Sequence, residues 1–204
     1  MKFNKYKVGL GWVAILSLLE LTACTTHFPD PIVKFNPNPH VRYLVILETS
    51  KAPGLFESVK ASLTYRALNT SCLAYSDSLA GINVKATYDV PVAFKKVSPT
   101  RYEAIVYADQ LSDEDYYRQG VCHWSVDILQ ADLMHQGRTF SSTLDIKEFN
   151  THHFVSSFMA VDDYNKDTHP PFGIDSSPYA NSRVKQFEVS LKATPLDPKQ
   201  APLQ

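Results

Sequence analysis

The chain carries almost no excess of either charge: 20 basic and 21 acidic side chains among 204 residues leave a formal charge of −1. Nucleic-acid binders depend on a basic surplus that displaces counterions, so this balance argues against that class. Cysteine is scarce, with three residues and no C-x-x-C spacing for redox or metal chemistry. Apolar runs are short, the longest being Val8 to Leu19 (VGLGWVAILSLL), which is too short to span a bilayer as a stable helix. There is no G-x-S-x-G nucleophile elbow, P-loop, G-x-G-x-x-G or H-E-x-x-H. A Ser/His/Asp triad needs adjacency only in space, and no spacing here points to one. What is present is 44% hydrophobic and 12% aromatic content, enough to bury a core and to exclude a disordered polymer. The length suits one domain with tails, and seven Gly against thirteen Pro favour strands and loops over a helical bundle.

The N-terminus reads as an address. Lys2, Lys5 and Lys7 precede the apolar run, and Leu21-Thr22-Ala23-Cys24 follows it. That tetrapeptide resembles the lipobox of bacterial lipoproteins, although Glu20 within the apolar region departs from the pattern. The resemblance implies a signal peptide over residues 1–23, cleavage before Cys24, and acylation of both the Cys24 thiol and its new amino group. Several acyl chains would hold the protein durably, at ~0.8 kcal/mol per buried CH2, where one short chain binds only reversibly. Thr25 and Thr26, rather than Asp, follow the cysteine, which implies an outer-membrane destination facing the periplasm. With Cys24 lipidated in an oxidising compartment, Cys72 and Cys122 form an even pair and are expected to make one disulfide. Closing a loop of that length is worth about 4 kcal/mol in the chain-entropy description.

Thr25 to Pro39 contains four prolines and reads, with Cys24, as an extended tether over residues 24–39; residues 195–204 read as a disordered tail. Residues 40–194 carry period-two patterning. Val41 to Glu48 is a nearly continuous apolar run suited to a central strand. Val84, Ala86, Tyr88, Val90, Val92 and Phe94 alternate with polar residues, with Pro91 on the outward parity, which predicts an edge or bulged strand. Tyr102 to Ala108 and Cys122 to Ile128 alternate likewise, and Thr139 to Ile146, Phe154 to Met159 and Lys185 to Ala193 are further candidates. Residues 55–68 fit either a strand on Val59, Ala61, Leu63, Tyr65 and Ala67 or a helix on Leu55, Val59, Leu63 and Ala67. A helical turn is expected over Ser112 to Tyr117. The fold expected is all-β: an antiparallel β-sandwich of about seven or eight strands with one disulfide. It resembles the immunoglobulin type without true membership, because Trp124 follows the second cysteine and does not lie between the two.

Two loops stand out. Residues 109–120 (DQLSDEDYYRQG) set four acids beside Tyr116, Tyr117 and Arg118, and residues 164–179 mix Tyr164, Phe172 and Tyr179 with polar groups and proline. Tyr and Arg frequently anchor protein interfaces, so these six residues are the candidate protein-binding set, against the alternative of two ordinary solvated loops. Asp163, Asn165 and Asp167 match the first ligand positions of a calcium loop. Thr168 and Ile174 stand where that loop requires Gly and Glu, so the motif fails; these three residues and His169 are weak metal candidates. His152 and His153 are adjacent and would point to opposite faces of a strand. No cofactor and no catalytic residue is expected.

Together the lipobox, the tether and the Cys72 and Cys122-x-Trp124 framework resemble small envelope lipoproteins of Gram-negative bacteria, including immunity proteins encoded beside type VI secretion effectors. The resemblance implies a non-catalytic protein-binding module that neutralises a secreted toxin. Alternatives are an assembly lipoprotein of an envelope or secretion complex and, further off, a metal-dependent or triad enzyme.

Overall fold

A computed structural model describes residues 32–72, 87–165, 185–197 and 203. The described strands are β1 (Arg42–Ser50), β2 (Ser58–Ala67), β3 (Thr87–Val92), β4 (Lys95–Ser98), β5 (Arg101–Tyr107), β6 (Trp124–His135), β7 (Arg138–Asp145), β8 (Val155–Ala160) and β9 (Gln186–Pro195). Two short helices, α1 (Ile146–Thr151) and α2 (Val161–Asn165), flank β8. One antiparallel sheet has the order β4-β5-β1-β9-β8 and the other β3-β2-β6-β7. They pack face to face as a β-sandwich, with nine described strands where about seven or eight were expected. The strand order is not that of immunoglobulin domains, where first and last strands lie in opposite sheets; here β1 and β9 are hydrogen-bonded neighbours.

β1 is central, and its inward residues Tyr43, Val45 and Leu47 are buried, while Leu44 and Ile46 on the other face are half-covered by neighbouring strands. Residues 58–67 are a strand with Leu63, Tyr65 and Ala67 buried; the helical alternative required Leu55 inward, and Leu55 is exposed. β3 lies at a sheet edge, with Pro91 opposite Ser62, as the proline predicts. The strand stops at Val92, short of Phe94, and the chain then enters the opposite sheet as β4; Val84 and Ala86 fall outside the described residues.

Two local readings are corrected. In β6, Val126 pairs with Tyr65 and Ile128 with Thr64, which leaves Asp127 as an extra bulged residue. The inward parity therefore switches, and Leu129, Ala131 and Leu133 are buried while Ile128 is not. β7 ends at Asp145 rather than Ile146 because Asp145 caps α1. Its carboxylate accepts from Lys147 N at 2.7 Å and Glu148 N at 3.3 Å, and the Glu148 carboxylate accepts from Asp145 N at 3.0 Å.

Several connections meet at one end of the sandwich: those leaving β2, β5 and β7 and those entering β3, β6 and β8, together with the chain entering β1 and leaving β9. The opposite end carries the β1–β2, β3–β4, β4–β5 and β6–β7 turns and α2. The disulfide Cys72–Cys122, with Cα atoms 5.2 Å apart, ties the turn after β2 to the entry of β6 at the first end.

Candidate functional site

The connection from β5 to β6, residues 108–123, crosses between the sheets, and the chain before β1 is stitched along it. Asn36 N donates to Gln110 O and Ser112 N to Lys34 O, each at 2.8 Å, and Phe35 pairs with Leu111. Val33 is buried beneath this short pairing, and the Phe35 ring meets Tyr88 edge-on at 6.2 Å. The last part of the segment expected to be tether is thus docked on the domain. The legible signal is the alternation of Val33 and Phe35 with Lys34 and Asn36, which the surrounding prolines masked. At the other terminus Leu203 exchanges two hydrogen bonds with Asn150, at 2.8 and 3.0 Å.

The four acids of this connection are used inside the fold. Asp109 accepts from the backbone N–H groups of His40 and Val41, each at 2.9 Å, and its Oδ2 lies 2.9 Å from His40 Nδ1. Asp113 accepts from Trp124 N at 2.9 Å through Oδ1 and meets His123 Nδ1 at 2.8 Å through Oδ2. Glu114 pairs with Lys34, which raises the lysine pKa through a hydrogen bond and charge attraction. Asp115 accepts from Gln119 N at 2.9 Å. These carboxylates hold an irregular backbone in one shape, as long loops require.

The expected helical turn over Ser112–Tyr117 does not form. Glu114 is bridged to Cys122, and the Asp115 carboxylate serves a wider turn ending at Gln119. Within that turn Arg118 has φ 60 and Gly120 φ 106, both left-handed. Tyr116, a candidate binding residue, is half-buried: its hydroxyl donates to Ser112 O at 2.6 Å and its ring packs edge-on against Trp124 at 6.3 Å. Both rings cover Cys72, Cys122 and Ala67. The indole N–H of Trp124 is buried with no acceptor among the described residues. Tyr117 is half-buried and Arg118 is exposed at the tip.

Beside this loop is a cleft of about 910 Å³ lined by Asn36, His40, Asp109, Asp113, His123 and Trp124, among others. The His123–Asp113 pair has the geometry that orients an imidazole in hydrolases, and Ser112 and Ser125 are also in the cleft lining. Local spacing did not reveal Asn36, His40 and Asp109, because their relations span about 70 residues of sequence.

The second aromatic loop begins at the opposite end of the sandwich. Tyr164 is buried there: its ring stacks on His135 with centroids 3.9 Å apart, and its hydroxyl donates to Leu55 O at 2.7 Å. Burial pushes its phenol pKa up. It is a core residue packed with Phe56, Phe140 and Phe187, so it leaves the candidate binding set. Asp163 and Asn165 lie in α2, where positions two apart point about 200° apart and do not converge on one ion. Phe172, Tyr179, Asp167, His169 and Cys24 fall outside the described residues. His152 closes α1 with φ 57 and His153 is exposed. Among the described residues no three His, Cys, Asp or Glu side chains are placed to hold a metal ion.

No family model, no curated protein and no solved structure matches the chain.

Proposed function

We propose that the protein is a lipid-anchored periplasmic envelope lipoprotein, held in the outer membrane through Cys24, whose β-sandwich is a non-catalytic protein-binding module. The observation that carries the binding role is the 108–123 connection: Asp109 and Asp113 fix its cleft-lining part, and the Asp115–Gln119 bond closes the turn that carries Tyr117 and Arg118. Rigid presentation of an Arg and a Tyr lowers the ordering cost of binding. The anchor reading is supported by Leu21 to Cys24, and a Cys72–Cys122 disulfide suits an oxidising compartment. An immunity protein that sequesters a secreted effector is the specific form we favour.

The test is affinity capture from the native envelope and secreted fractions with the full mature chain, run beside Arg118→Glu. One secreted prey bound in high and low salt and lost with Arg118→Glu supports the immunity reading. A set of membrane-machine components supports an assembly lipoprotein instead. Equal capture by both chains would contradict the assignment of the binding rim.

A further inference from the structure

We infer that the cleft end of the sandwich seats on a lipid surface with electrically neutral headgroups; the inference rests on the reading of Cys24 as the anchor. Among the described residues, five large apolar side chains are exposed at this end: Ile32, Phe35, Leu68, Val121 and Leu196. They come from separate parts of the chain that the fold gathers together. Phe35 pairs with Leu111, Leu68 N donates to His123 O at 2.8 Å, and Leu196 N donates to Arg42 O at 2.9 Å. Asn69 Nδ2 donates to Val121 O at 2.7 Å, so Leu68 and Val121 stand on neighbouring segments. Of the other exposed large apolar residues, Leu55 is at the far end, Val97 and Ile105 lie on β4 and β5, and Phe154 has the Lys192 ammonium 5.4 Å from its ring centre. Single exposed apolar residues are ordinary, but a group of them gathered at one end indicates an apolar partner.

The course of the chain says what that partner is. Ile32 emerges at this same end, and seven residues lie between it and Cys24, a reach of roughly 29 Å over the eight Cα steps at full extension. The docking of residues 33–36 removes the slack that a free tether would have given. A strand as long as β6 spans roughly 40 Å, so the opposite end stands well away from the anchored surface. Charge selects the headgroup: among the described residues around this end, Asp109, Asp113, Glu114, Asp115 and Asp197 outnumber Lys34, Arg42 and Arg118, so an anionic surface is repelled and a zwitterionic one is not.

The test uses the full mature chain in a Trp124→Phe background carrying Phe35→Trp or, as the far-end control, Leu55→Trp, reconstituted in brominated phosphatidylcholine vesicles. The seat predicts several-fold stronger quenching of the tryptophan at 35 than at 55, and weaker quenching at 35 when one third of the lipid is phosphatidylglycerol. Vesicle flotation is measured on the same samples. Flotation with both tryptophans equally unquenched overturns the seat and leaves the anchor standing. Failure to float overturns the anchor and the seat with it. Quenching at 35 that appears only with phosphatidylglycerol overturns the apolar, neutral-headgroup contact.

Discussion

Tyr65 in β2 donates its hydroxyl hydrogen to the backbone carbonyl of Tyr107 in β5, joining the two sheets directly beneath the cleft. Tyr107 is the last residue before the 108–123 connection, so the bond fixes the platform from which the loop departs. Burial, followed by the nearby charge of Asp109, pushes the phenol pKa well above its ordinary value, so the donor stays protonated.

This gives a pH signature. Above pH ~10 an unfolded Tyr65 loses its proton while the folded one keeps it, so the unfolded state binds fewer protons and stability falls as pH rises. The slope is about 1.4 kcal/mol per pH unit for one such group. We predict that Tyr65→Phe lowers stability at pH 7 by about 1–3 kcal/mol through the unpaired Tyr107 carbonyl, and that it flattens this alkaline loss. Urea unfolding at pH 7 and at pH 10.5 checks both; parallel losses in the two chains would contradict the assignment.

The acids of the connection should differ in weight. Asp109→Ala removes the acceptor of two backbone N–H groups and the partner of His40, and should cost about 1–3 kcal/mol. Asp115 serves one bond in an exposed turn, and Asp115→Ala should stay within about 0.5 kcal/mol. At about 2–4 °C per kcal/mol for a chain of this size, thermal melts separate them. Equal shifts would mean that the stitching of residues 36–41 is not what Asp109 supports.

For the disulfide, unfolding without reductant should expose no reactive thiol at Cys72 or Cys122, whereas reduction should destabilise the domain by about 4 kcal/mol. Trp124 packs on the pair, so its fluorescence should report the loss. Labelling of either cysteine in the unreduced protein would refute the bond.

At α1, Asp145→Ala should cost about 1 kcal/mol and Asp145→Asn much less, because asparagine retains the capping oxygen. Denaturant midpoints decide between this and a merely electrostatic role, in which both changes would cost alike.

Much of the sheets was legible because apolar residues recur at every second position: β3, β5 and β9 point inward with the parity their sequences predict, and β1 was legible as a nearly continuous apolar run. Reading failed where one residue breaks the period. Asp127 shifts β6 by one position, and no local feature of the strand marks it as the bulge. Asp145 and Glu148 do carry a capping-box spacing, but it was hidden at the end of a strand pattern. The site was less legible than the fold. Tyr116 and Tyr164 match interface composition, yet one shields the disulfide and the other fills the core, since composition cannot tell which way a ring turns. Asp109 and Asp113 are explained by His40 and Trp124, contacts that the sheet topology creates.

Location is the premise on which the partner and the lipid seat both depend. Cys24→Ala should leave the chain unprocessed and absent from alkaline-washed outer membranes. The most direct measurement is the intact mass of the protein extracted from its native membrane. The account predicts a chain beginning at Cys24 that carries a diacylglyceryl group and an additional N-terminal acyl group. A chain that retains residues 1–23, or one that begins elsewhere with an unmodified Cys24, would contradict it.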